Sequence, residues 1–80
     1  MNAAEAQEAK NLLLHNDDHY RELVQQHHQL DDRLHQLSDK HYLSTTEQIE
    51  EVTIKKQKLA LKDQMELMAR EYTMSHSRAS

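Results

Sequence analysis

The 80-residue chain contains no glycine, proline or cysteine and carries a formal net charge of -4 with its seven histidines neutral. So short a chain forms one domain at most, disulfides are excluded, and a core of this size is marginal without metal or oligomerisation. The acidic balance argues against wrapping nucleic acid or coating an anionic membrane, and 36% apolar residues with three tyrosines as the only aromatics suit a helical stripe that completes its contacts on a partner.

The first segment, 1–16, is rich in Ala, Glu, Gln and Leu, strong helix formers, and predicts a short or frayed helix. Its opening, Met1 to Glu8, has acids and no basic residue, so no signal peptide is expected. No apolar run is longer than Leu12-Leu13-Leu14, far short of the ~20 residues that cross a bilayer. A cysteine-free chain of this size suits a reducing compartment, and the cytoplasm is the expected one. Asn16, Asp17 and Asp18 have the side chains of an N-cap and predict a break or kink before the next helix.

A helix over 17–37 follows, with Tyr20, Leu23, His27, Leu30, Leu34 and Leu37 at alternating spacings of three and four, the seam of a helix packed on another. Polar residues dominate 38–44, a turn made without glycine or proline. Ser44-Thr45-Thr46-Glu47 matches a capping box and predicts the start of a second long helix, 45–72. The remainder, 73–80, with serines and no apolar stripe, is expected to be a disordered tail.

The second long helix has two apolar faces. At 100° per residue Ile49, Val52 and Leu59 lie on one side, with Leu67 near its edge, and Ile54, Leu61, Met65, Met68 and Tyr72 lie nearly opposite. A turn centred near Lys40 and His41 pairs Leu34 with Ile49, Leu30 with Val52, Leu23 with Leu59 and Tyr20 with Asp63. The first face then completes the hairpin seam, and the second is left as the contact between copies. The expected fold is all-α: an antiparallel two-helix hairpin, coiled-coil-like, with a short extra N-terminal helix, assembling into a helical-bundle homo-dimer or homo-tetramer.

Leu59-Ala60-Leu61-Lys62-Asp63-Gln64-Met65, preceded by Lys55-Lys56-Gln57-Lys58, resembles the signature of the YdcH-like family of small bacterial proteins of unknown function. Asp17-Asp18-His19-Tyr20-x-x-Leu23, His28-Gln29-Leu30-Asp31 and Tyr42-Leu43-Ser44 resemble that family's opening, its middle step and its entry to the second helix. The chain departs from the family pattern with Tyr20 in place of the usual phenylalanine and Gln64-Met65 in place of the common Glu-Ile. The resemblance covers residues 17–72 and implies a helical hairpin from a bacterial cytosol with no assigned activity.

His15 and His19, four apart, and His28 and His35, seven apart, have spacings that can share a metal, yet no cysteine and no His-Glu-x-x-His completes a set, so no metal or other cofactor is expected. The pairing above sets His27 against Lys56, where protonation below about pH 6.5 loosens a shared layer if His27 is buried, and does little if it is half exposed. Asp63 reads as a hydrogen-bond partner for Tyr20 or His19, and no second carboxylate stands beside it for acid-base work. Lys55, Lys56, Lys58 and Lys62 offer a basic stretch for phosphate, with Glu51 placed to pair with Lys55. The leading expectation is a non-catalytic helical module that binds itself and an unidentified protein. The alternatives are a nucleic-acid accessory protein using Lys55 to Lys62, and a histidine-based metal or pH switch.

Overall fold

A computed structural model describes residues 3–77, whose regular elements are all helices, with no strand among them. Three helices follow in order, α1 (Ala3–Asn16), α2 (Asp18–Ser38) and α3 (Thr45–Ser77).

α1 and α2 meet at one residue, Asp17, whose extended backbone (φ -124°, ψ 113°) interrupts an otherwise continuous ladder. The Asp17 amide still donates to Leu13 O at 2.8 Å, and the Asp17 carbonyl already accepts from Arg21 N at 3.1 Å. Two side chains stabilise this kink from opposite directions. Asp17 Oδ1 accepts from Tyr20 N at 2.9 Å and caps α2, while the Arg21 guanidinium donates to Leu14 O at 3.3 Å and His15 O at 2.9 Å, carbonyls that end α1. A bend that glycine or proline would ordinarily supply is made here by one acid and one arginine.

α2 ends at Asp39, whose amide donates to His35 O at 3.1 Å. The capping box at the start of α3 is reciprocal: Glu47 N donates to Ser44 Oγ at 3.1 Å and Ser44 N donates to Glu47 Oε1 at 3.1 Å. Lys40 reaches across the turn to the same Glu47. α3 then runs through Ser77, a length of about 50 Å, so 73–77 is helical where a disordered tail is expected. The sequence there has no breaker, Tyr72 packs on the core, and Thr73 Oγ1 donates back to Ala69 O at 2.9 Å. Residues 1–2 and 78–80 of the expected terminal segments lie outside the described residues.

Both earlier helices pack on α3. Arg33 bonds Glu50 through two parallel N–H···O contacts of 2.8 Å, Asp31 pairs with Lys58, and Lys10 Nζ meets Glu66 Oε1 at 2.8 Å. As the position falls on the α1–α2 side it rises on α3, the order of antiparallel packing. Ala9 and Leu13 of α1, Tyr20 of α2 and Ala69 of α3 form a buried cluster, flanked by Val24, Met65, Met68 and Tyr72. Leu23, Ile54 and the fully buried Leu37 extend the apolar interior toward the turn. The result is a rod, 55 × 20 × 17 Å in extent.

The phase of α3 is opposite to the one the apolar pattern predicts. Ile49 (63% exposed), Val52 (51%) and Leu59 (60%), expected in the seam, face outward. Ile54 is buried, and Leu61, Met65, Met68 and Tyr72, expected between copies, are partly buried on the inward side. The cause lies in the charges. Near the turn the inward positions of α3 are Glu47, Glu50 and Lys58, matched by Lys40, Arg33 and Asp31, whereas Ile49 and Val52 fall outside. Further along, Met65, Met68, Ala69 and Tyr72 meet apolar partners from two helices, and a continuous helix keeps one phase throughout.

Candidate functional site

The outward face of α3 has no packing partner among the described residues. Ile49, Val52, Leu59, Leu67 and Met74 are each more than half exposed, and they recur along one side of the helix at sums of three and four residues. Burying such side chains is worth ~1.5–3 kcal/mol each, so a row of five left in water is a substantial unused driving force. Lys56, Asp63 and Arg70 stand exposed within the same stripe. Its N-terminal part, with Thr45, Gln48, Ile49, Val52, Thr53 and Lys56, lines an open depression of about 420 Å³.

The opposite face is fixed by charge. The Lys58 hydrogen bond holds the Asp31 carboxyl below its ordinary range, the Arg33 bond does so for Glu50, and the Lys10 bond for Glu66. Glu47, bonded first by Lys40 and then by the Ser44 amide, is held down to about 2. Glu50 in turn raises the Arg33 guanidinium above its usual value. Burial pushes the Tyr20 phenol up, Lys10 opposing it. These contacts hold helices together.

Other groups singled out from the sequence are dispersed. His15 belongs to α1 and His19 to α2, on either side of the Asp17 kink, so their spacing of four does not lie along one regular helix. His28 and His35 are exposed on α2, and the described residues include no group of three His, Cys, Asp or Glu side chains able to hold a metal. His27, expected against Lys56, is half-buried and contributes its field to Asp31, one turn on along its own helix, while Lys56 points outward. Asp63 is exposed, and the charged neighbours of the Tyr20 phenol are Lys10 and Glu66 instead. Lys55 pairs with Glu51 at 3.6 Å and Lys58 with Asp31, so two of the four lysines of the basic stretch are already engaged by acids.

A second shallow groove, about 400 Å³, runs between α2 and α3. Gln26, Gln29, Gln57 and Gln64 line it beside Leu30, Ala60 and Leu61. It is open to solvent and offers amides only, groups with no acid-base or nucleophilic capacity.

Sequence reading missed the links that set the phase of α3, Arg33 with Glu50 and Asp31 with Lys58, and also the packing of Ala9, Leu13 and Ala69. A signal for the first existed: Glu47, Glu50, Ile54, Lys58 and Leu61 keep helical spacing, but charged members hide such a stripe from a search for apolar residues.

The molecule is thus a small all-α protein whose distinguishing surface is one exposed helix face. The family model described as "Protein of unknown function (DUF465)" matches residues 21–69, and the chain belongs to that family, the YdcH-like small bacterial proteins of unknown function. No curated protein and no solved structure matches it. No helix among the described residues is long and apolar enough to cross a membrane.

Proposed function

We propose that the protein is a non-catalytic interaction module, an antiparallel helical hairpin that self-associates through the outward face of α3 into a coiled-coil-like bundle. The observation that carries this reading is the row Ile49, Val52, Leu59, Leu67 and Met74, exposed on a helix whose opposite face is already packed. A chain of this size covers too little of its own apolar surface, and association supplies the rest. The cysteine-free composition supports a cytoplasmic location. Sedimentation velocity tests the proposal. The full chain should sediment above monomer mass at micromolar concentration, and Leu59→Asp should return it to monomer with its helical circular dichroism retained. A wild-type monomer at that concentration refutes it.

A further inference from the structure

We propose that the outward face of α3 pairs with the same face of a second copy running antiparallel, Lys56 of each copy set against the partner's Asp63. This rests on the reading that the face self-associates and adds to it an orientation and a register.

The stripe is arranged symmetrically about Leu59. Lys56 and Asp63 flank it at three and four residues, and Val52 and Leu67 at seven and eight. Beyond them stand Ile49 and Arg70 at ten and eleven. Each of these seven residues is exposed. A two-fold axis between Leu59 and Ala60 therefore sets Val52 against the partner's Leu67 and Lys56 against the partner's Asp63, and brings the two Leu59 side chains together across it, half a residue from exact register. Isologous contacts of this kind require a surface complementary to itself, which this one is.

Charge decides the direction. With the copies parallel and in register, Lys56 would oppose Lys56 and Asp63 would oppose Asp63, two like-charge layers inside the seam. With the copies antiparallel, both layers become attractive. Neither Lys56 nor Asp63 belongs to an ion pair among the described residues, although their neighbours Lys55, Lys58 and Glu66 do. Ile49 then packs under the aliphatic stem of the partner's Arg70, whose guanidinium reaches the rim.

Sedimentation and disulfide trapping on the full chain test the proposal. Lys56→Asp and Asp63→Lys alone should each weaken association about tenfold or more, and the double reversal should restore it. The chain has no cysteine of its own, so Val52→Cys and Leu67→Cys proteins, oxidised after mixing, should form the mixed disulfide, and neither should trap with itself. Self-trapping of each variant, or no mixed disulfide although the wild-type chain is oligomeric, overturns the antiparallel register while leaving association intact. Single reversals that leave the association constant unchanged overturn it too. A wild-type monomer removes the underlying reading as well and leaves the face for a helix of another protein.

Discussion

Leu37 has no solvent exposure at all and sits one turn before the chain reverses. Truncating a leucine in such a place removes its transfer energy and leaves a cavity that neighbours fill only in part. Leu37→Ala should cost about 2–5 kcal/mol in urea unfolding, a large share of the stability of so small a chain. Ser44→Ala, which removes one half of the capping box, should cost about 1 kcal/mol with little change in the urea dependence. The carboxylates set a pH window. Asp31, Glu47, Glu50 and Glu66 all have folded values below their ordinary ones. Stability from such groups is complete above the unfolded value and lost as pH falls through the folded one. For Glu47 that window runs from 4.5 down to about 2. The urea midpoint should therefore be flat above about pH 5 and decline steadily below it, and Glu47→Gln should flatten the lowest part of the decline. A midpoint independent of pH down to 2.5 would show that these pairs do not discriminate folded from unfolded chain.

Among the elements, α3 carries the most information, because two helices read its inward face while its outward face remains open. The helical class, the capping box and the polar turn were legible in the sequence, since each depends on residues adjacent in the chain. The phase of α3 was not. It depends on Arg33 finding Glu50 and Asp31 finding Lys58, and on Ala69 being small enough for α1 and α2 to approach together; both are properties of the assembled fold. Ala69→Leu should accordingly destabilise the protein by ~1–3 kcal/mol through overpacking, measured by thermal unfolding. The same substitution at the exposed Thr53 should be nearly neutral. A pattern search gave Ile49 and Val52 to the interior because nothing in a single helix marks which of two apolar stripes has a partner. The residues of the outward stripe were therefore visible in the sequence but expected on the inward side.

At the scale of the whole molecule, a radius of gyration of 16.0 Å exceeds the ~12 Å of a compact chain of this length. The elongation has a measurable consequence for assembly. An antiparallel pair centred near Leu59 overlaps along most of α3, so small-angle scattering of the oligomer should give a longest dimension close to the 55 Å of one copy and a thicker cross-section; end-to-end contacts would lengthen the particle instead. The dependence of α1 and α2 on α3 also reaches back into biosynthesis. The ribosome releases α1 and α2 before α3, and their apolar sides find no cover until α3 emerges. Tertiary structure consequently waits for the synthesis of α3, and a nascent chain halted before residue 61 would expose Tyr20 and Leu13 to proteases and chaperones.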